Sequence, residues 1–315
     1  MSHRRTLIGC LLATVAVVSC GCATTDALRH ARFAIEDDLS VYTINGTGDD
    51  FKEVIKRART GETPREPLWD AYFQPALAPD GVTVGCIRFR SYTRRSSNNP
   101  SVLPQQSSEV IIIRTTSTDK SMQVVHSVPG ERGVVYRLGS PIWSLDGRGL
   151  FFIANSRILA HWLDTGLTQT ITDIPGADAA GIAEDFITTS YLRLSRDGQE
   201  IFALLHSLRS SSYSVWRIHW ATGSARQVWK GNWWGRSVVR VDPPLPAELD
   251  DAAVEALFGS REFPVLAPRF SVDGRFYFFT RYRQGFFGRL WIAGYDVEAH
   301  REFTVRTLRR GLLWK

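Results

Sequence analysis

Short runs of alternating hydrophobic and polar residues, separated by tight-turn signals, recur along this chain and predict β-strands almost throughout. An Asp-Gly pair lies between two apolar runs at four places. Because glycine adopts the positive φ of a tight turn without steric cost, each pair predicts a hairpin of strand A, turn and strand B. The aspartates are therefore interpreted as turn formers and not as a catalytic set. The predicted turn residues are Asp80, Gly81, Asp146, Gly147, Asp197, Gly198, Asp273 and Gly274.

A second hairpin, of strands C and D, follows each of the first. Its predicted turns lie near residues 117–119, 164–166, 221–223 and 297–299, and a further copy at 39–55 turns at 45–46. Four short antiparallel strands per repeat are typical of a β-propeller blade. The pattern therefore predicts an all-β fold of four-stranded antiparallel blades.

The repeated phrase Pro-x-x-Ser-x-Asp-Gly is complete at residues 141–147 and 268–274. It resembles the WD40-like repeat of TolB-type propellers, and the resemblance covers roughly residues 70 to 305. Ala78 and Pro79 replace the Ser-x of the phrase in the first copy, and Tyr191 and Arg196 depart from it in the third. The resemblance implies an architecture and leaves the function open.

The repeats predict five blades, with the ring closed by the two ends of the chain. Residues 31–55 supply the outer strands of one blade, and residues 308–314 would donate its missing strand, which removes the open sheet edges. Six blades are the alternative, and they require a degenerate blade within residues 231–266.

The long connecting segments all join strands B to C or D to A, so they are predicted to emerge from one face. They are residues 91–108, 175–190, 206–212 and 231–266. Loops on a rigid scaffold commonly carry binding sites, although insertions also drift neutrally. Exposed tryptophan beside arginine is a frequent anchor for protein partners and can also stack on sugars. The alternative is that these tryptophan rings pack the insertion onto the body of the domain. The candidate partner-binding residues are Trp233, Trp234, Arg236, Arg94 and Arg95, and residues 246–258 have the pattern of a short amphipathic helix.

The N-terminus has the pattern of an export signal. Arg4 and Arg5 precede an apolar stretch at 6–18 that is too short for a comfortable membrane span. The sequence Val-Val-Ser-Cys at 17–20 resembles a bacterial lipobox, which implies cleavage before Cys20 and a lipid on its thiol; an ordinary secretory signal or an uncleaved anchor are the alternatives. The residue after Cys20 is Gly21 and not aspartate. In lipoproteins of Gram-negative bacteria this implies export to the outer membrane, where the protein would face the periplasm. The expected organisation is a signal peptide at 1–19, a tether at 20–30 and one propeller domain at 31–315 with an insertion at 231–265.

The charge balance permits anionic partners without requiring them. The full chain has a net charge of +6, which falls to about +4 once Arg4 and Arg5 leave with the signal. We therefore expect no nucleic-acid partner.

The chain lacks the common catalytic motifs: there is no Gly-x-Ser-x-Gly, His-Glu-x-x-His, Cys-x-x-Cys or phosphate-binding glycine loop. We predict no catalytic residue, metal or cofactor, and expect a lipid-anchored, non-enzymatic scaffold that binds an envelope protein or glycan. A subunit of a larger envelope machine is a further alternative. The alternative is a propeller enzyme, a glycan lyase or hydrolase using the central pocket. That alternative requires carboxylates near the candidate histidines His126, His161, His206 and His219.

Overall fold

The computed structural model consists of antiparallel β-sheets. Apart from a helical turn at 26–30, the regular elements in the described part of the chain are strands. The structure describes residues 26–37, 39–58, 67–92, 105–115, 120–129, 138–155, 157–174, 191–195, 197–207, 212–234, 240–242, 266–270, 275–283, 289–296, 298–299 and 301–307.

Twenty strands in the described ranges form five sheets, and the strands of each sheet pair in chain order. Sheet 1 contains β1 (Arg32–Asp37), β2 (Ser40–Asn45) and β3 (Lys52–Ile55). Sheet 2 contains β4 (Pro67–Leu77), β5 (Thr83–Tyr92), β6 (Gln105–Thr115) and β7 (Lys120–Pro129). Sheet 3 contains β8 (Leu138–Trp143), β9 (Gly149–Ala154), β10 (Arg157–Trp162) and β11 (Thr168–Asp173).

Sheets 4 and 5 complete the described fold. Sheet 4 contains β12 (Tyr191–Leu194), β13 (Glu200–Ser207), β14 (Ser212–His219), β15 (Ser224–Trp234) and β16 (Arg240–Asp242). Sheet 5 contains β17 (Leu266–Phe270), β18 (Phe276–Arg283), β19 (Arg289–Asp296) and β20 (Arg301–Thr307). The predicted succession of two hairpins is therefore present in sheets 2 to 5, whereas sheet 1 has three described strands and sheet 4 adds a fifth strand to the predicted four.

The Asp-Gly turns close through hydrogen bonds of the aspartate side chain. In the β8–β9 turn, Asp146 Oδ1 accepts from the Ser144 hydroxyl at 2.6 Å and from the Arg148 N–H at 3.0 Å. Gly147 has a φ of 71°, and its N–H donates to the Ser144 carbonyl at 3.0 Å. These bonds satisfy backbone groups that the reversal of the chain would otherwise leave unpaired.

The alternation of strand direction gives the molecule two distinct ends. The turns of the A–B and C–D hairpins lie at one end, which we call the turn face. The B–C and D–A connections emerge at the other end, the loop face. The turns touch their neighbours across sheets: a side chain added at Gly147 would meet Pro79 at 3.4 Å, and one added at Gly198 would meet Leu145 at 2.8 Å.

The sheets pack face to face in the order 5–1–2–3–4. Phe33 of sheet 1 stacks on Phe278 of sheet 5 with ring centroids 3.7 Å apart. Gly85 of sheet 2 leaves room for Leu150 of sheet 3, whose Cδ1 would lie 2.8 Å from an added Cβ. Each layer between two sheets is filled by aliphatic and aromatic side chains.

Strand β9 shows how this stacking follows from sequence. All six of its residues are buried, because Leu150 and Phe152 face sheet 2 while Phe151 and Ile153 face sheet 4. A strand covered on both faces needs apolar residues at every position, whereas an outer strand does not. The outer strand β11 consists mainly of polar residues, and each of its positions is exposed or half-buried.

The described residues do not form a closed ring between sheets 4 and 5. The segment 308–314, expected to close the ring, and the expected helix at 246–258 lie outside the described residues, as do Asp273, Gly274 and residues 1–25.

The sheet extends into the segment that the sequence pattern assigns to the insertion. Strand β15 runs to Trp234, and its end pairs with β16 from Asn232↔Asp242 to Trp234↔Arg240. The pattern missed this hairpin because a three-residue strand has no readable period. No helix in the described ranges is long and apolar enough to span a bilayer.

Candidate functional site

Of the predicted partner-binding residues, the structure describes the backbone of two. The backbone of Trp233 and Trp234 forms the end of β15, opposite Val241 and Arg240. The other predicted partner residues, Arg94, Arg95 and Arg236, and the predicted lipid-attachment residue Cys20, lie outside the described residues.

A cluster of charged side chains lies toward the loop-face end of sheet 2, at the base of the segment that contains Arg94 and Arg95. Strand pairing places Arg88 between Tyr72 on one side and Glu109 on the other. Two residues nearer the loop face, Asp70 lies opposite Arg90. We call Asp70, Tyr72, Arg88, Arg90 and Glu109 the charged cluster. Its sequence neighbours on β5 and β6 pack against sheet 1, which places the cluster beside that interface.

The deepest part of the charged cluster is the ion pair between Arg88 and Glu109. Arg88 Nε donates to Glu109 Oε2 at 2.6 Å, and a second guanidinium nitrogen contacts the same carboxylate. The two side chains are only 8% and 10% exposed. A pair this buried needs a close, hydrogen-bonded geometry to offset the loss of hydration.

Exposure rises toward the loop face. The Arg90 side chain is 26% exposed, and its Nε lies 3.3 Å from Asp70 Oδ1 while its Nη1 lies 3.9 Å from Glu109 Oε1. Arg90 therefore joins the buried pair to the surface. Burial, together with the nearby Asp70 carboxylate, raises the pKa of Tyr72 to about 12, so its hydroxyl remains protonated at neutral pH.

Backbone strain occurs beside the charged cluster. Leu39 and Gln74 adopt φ values of 60° and 47°, which are uncommon for residues with large side chains. The Gln74 N–H donates to Glu36 Oε2 at 3.3 Å, and the Tyr72 N–H donates to the Leu39 carbonyl at 3.0 Å. Such strain persists only where surrounding contacts enforce it, and it is frequent at functional sites.

Sequence reasoning missed the charged cluster. A signal was present, because Arg88 and Arg90 occupy same-face positions at the end of the apolar run 84–89. Two arginines on one face of a buried strand require carboxylate partners. The partners Asp70 and Glu109 come from different strands, and only the pairing register reveals them.

Three histidines of the enzyme alternative have described contacts with hydroxyl groups or an aromatic ring, and strand pairing places Glu200 opposite His219. His161 Nδ1 lies 2.9 Å from the Thr168 hydroxyl, His219 Nδ1 lies 3.2 Å from the Thr222 hydroxyl, and the His126 ring lies 5.6 Å from that of Phe152. Burial lowers the pKa of both His126 and His161. The side chain of His206 lies outside the described residues.

Within the described ranges, no three His, Cys, Asp or Glu side chains are grouped so that they could hold a metal ion. In the charged cluster, Arg88 and Glu109 are buried and paired with each other, so Arg90 is the guanidinium nearest the surface. A partly exposed guanidinium at the loop-face end can meet a polar or charged group by ion pairing and hydrogen bonding.

Comparison with known proteins adds similarity at the level of the fold. No protein-family model and no curated protein matches the chain. Among solved structures, TolB from Acinetobacter baumannii is 15% identical over 89% of this chain and 54% of its own, with a TM-score of 0.43. The oligogalacturonate lyase from Vibrio parahaemolyticus is 13% identical over 88% of this chain and 73% of its own, with a TM-score of 0.41.

The chain thus spans about half the length of the Acinetobacter TolB that it matches. Both TM-scores lie below 0.5, so the architecture of this chain rests on its own strand pairing and sheet packing.

Proposed function

We propose that this chain is a lipid-anchored envelope β-propeller of five blades that binds a protein or glycan partner through its loop face, without catalysing a reaction. The ring is completed by the two chain ends, and Cys20 carries the lipid. The protein faces the periplasm, anchored at the outer membrane.

The unequal length of the connections at the two ends carries this proposal. Turn-face connections such as 144–148 and 163–167 have five residues, whereas loop-face connections include 93–104, 174–190 and 243–265. Other loop-face connections, such as 38–39, 155–156 and 208–211, are short, so length is not imposed by the fold itself. Long connections on a rigid body commonly carry binding sites, and the charged cluster lies next to the start of one of them.

The lipid anchor is tested by incorporation of labelled palmitate in the native host. We expect labelling of the wild-type chain and its loss in Cys20→Ala, because the thiol is the predicted acceptor. Cys22→Ala is the matched control and should retain the label. Labelling that survives in Cys20→Ala would contradict the anchor.

The loop-face function is tested by affinity purification of the lipidated full-length chain from detergent-solubilised envelopes, with partners quantified by mass spectrometry and glycan analysis. We expect one enriched partner to fall at least tenfold in Trp233→Ala/Trp234→Ala or in Arg94→Ala/Arg95→Ala. The variant Thr170→Ala, on the exposed strand β11, is the matched control and should retain that partner. Equal recovery from all variants would contradict binding through the loop face.

A further inference from the structure

We propose that the turn face of sheets 2 and 3 rests on the lipid bilayer and that the loop face points away from it. This inference rests on the proposed lipid anchor at Cys20, and it adds an orientation and a second interaction surface that the anchor alone does not specify. The occupant of the surface is the membrane that holds the lipid.

The first observation is the place where the chain enters the body. The helical turn at 26–30 lies at the turn-face end of sheet 1, because the Gly46 N–H donates to the carbonyls of Leu28 and Ala31 at 2.9 and 2.8 Å. Arg32, the first residue of β1, donates from Nη1 to the carbonyl of Gly81 in the β4–β5 turn at 3.1 Å. The tether therefore joins the body at the turn face.

The second observation is a comparison of lengths. Six residue steps separate Cys20 from Asp26, and a fully extended chain of that length spans at most about 20 Å. The ten residues of β5 separate the two faces by about 33 Å. A tether attached at the turn face is too short to pass along the body, so the loop face cannot lie on the bilayer while the lipid is inserted.

The third observation is the distribution of exposed apolar side chains. Leu145 is 49% exposed in the β8–β9 turn, Leu167 is 65% exposed just before β11, and Val82 is 39% exposed in the β4–β5 turn. The remaining large exposed hydrophobic residues of the described ranges, Met122 and Val124, lie in the turn-face half of β7. Apolar tips grouped at one end are typical of a surface that contacts a partner.

The charges beside these tips also suit the headgroup region. Arg148 lies in the same turn as Leu145. Arg114 is the residue before the end of β6, and Lys120 begins β7; all three are exposed. Asp80, Asp146 and Asp164 lie on the same tips. The carboxylates of Asp80 and Asp146 already accept hydrogen bonds within their own turns, whereas Asp164 is exposed in the turn of Leu167. Cationic side chains around apolar tips favour the membrane interface.

The test uses the lipidated full-length chain in a Cys22→Ala background, in which Cys86 is buried and unreactive. Single cysteines at Leu145, at Leu167 and, as a control, at Asp173 carry an environment-sensitive fluorophore. Asp173 is exposed at the other end of β11, on the loop-face side, which matches it to Leu167. The protein is reconstituted in vesicles of phosphatidylethanolamine and phosphatidylglycerol (3:1) with and without spin-labelled lipid.

We expect spin-labelled lipid to quench the fluorophore at Leu145→Cys and Leu167→Cys at least twofold and to leave Asp173→Cys unchanged. Flotation of the vesicles reports the anchor separately. Protein that floats but shows equal quenching at all three positions, no quenching, or quenching only at Asp173→Cys overturns the orientation and leaves the proposed function intact. Protein that does not float contradicts the anchor, and the orientation fails with it.

Discussion

At the residue scale, the repeated turns show how one structure tolerates a changed sequence. In the third sheet, the Ser144 hydroxyl donates to Asp146 and accepts from the Gly149 N–H at 2.8 Å. In sheet 2 the serine is replaced by Ala78, and the Thr83 hydroxyl donates to Asp80 Oδ2 at 2.5 Å from the opposite strand. The departure from the repeated phrase is therefore compensated within the same hairpin.

A buried histidine makes stability depend on pH. His161 is 2% exposed, its Nδ1 bonds to the Thr168 hydroxyl, and that hydroxyl donates to the Val125 carbonyl at 3.3 Å. The Thr168 oxygen thus accepts from Nδ1–H, which leaves Nε2 as a buried acceptor without a partner. Protonation at Nε2 would place a charge between sheets 2 and 3.

We expect the free energy of unfolding to fall as pH drops below 6.5, the ordinary pKa of histidine. Burial lowers the pKa of His161 and of His126, which lies in the same layer, so the unfolded chain binds more protons below pH 6.5 and is favoured there. The measurement is urea denaturation between pH 7.5 and 5.0. His161→Asn keeps a donor near the Nδ1 position and cannot titrate, so its dependence on pH should be weaker; an unchanged dependence would contradict this role.

At the element scale, the buried ion pair joins two neighbouring strands. Arg88 lies on β5 and Glu109 lies directly opposite on β6. The surrounding positions Cys86 and Ile111 are fully buried and apolar. Substitutions in this pair therefore test how much the stability of sheet 2 depends on the presence of both charges.

We expect Glu109→Gln to lower the free energy of unfolding by about 3 to 5 kcal/mol, because it leaves the Arg88 guanidinium buried without a counter-charge. The double variant Arg88→Met/Glu109→Leu should recover most of that loss, since it removes both charges and retains apolar volume. The pair Arg157–Asp173 is exposed, and Asp173→Asn should cost less than about 1 kcal/mol. Urea denaturation measures all three, and an equal loss in Glu109→Gln and Asp173→Asn would refute the distinction.

At the scale of the whole molecule, the body and its insertion make separate contributions. The packed layers between sheets contain the buried side chains, while residues 243–265 leave sheet 4 after β16 and return at β17. A long surface connection costs little closure entropy, about 0.6 kcal/mol for each doubling of its length. The hairpin of β15 and β16 belongs to the sheet and should behave differently.

We expect replacement of residues 243–265 by a short Gly/Ser linker to leave a single cooperative thermal transition, with a melting temperature within about 4 °C of wild type. Replacement of residues 232–262 also removes β16 and the end of β15, and should lower the melting temperature further. Differential scanning calorimetry of both variants makes the comparison. Unfolding of the first variant would indicate that residues 243–265 hold structural strands, which would favour six blades over five.

Much of the fold is readable from the sequence because it depends on local chemistry. The Asp-Gly turns, the second set of hairpins and the four-strand repeat follow from positive φ at glycine and from alternation along each strand. The hairpin β15–β16 was not readable, since its second strand has three residues and lies inside a segment without periodicity. The same hairpin places the backbone of the predicted site residues Trp233 and Trp234 at the end of sheet 4.

The sequence by itself thus determined the strands, their turns and the end of the molecule from which each connection leaves, because these depend on neighbours within a few residues. The tertiary structure decided the order of sheets 5–1–2–3–4 and the charged cluster. Arg88, Glu109 and Asp70 come from three strands, and their contact depends on cross-strand register. Packing of sheet 1 between sheets 5 and 2 joins residues more than 200 positions apart, such as Phe33 and Phe278, and that pairing follows from which apolar faces fit together and not from any local pattern.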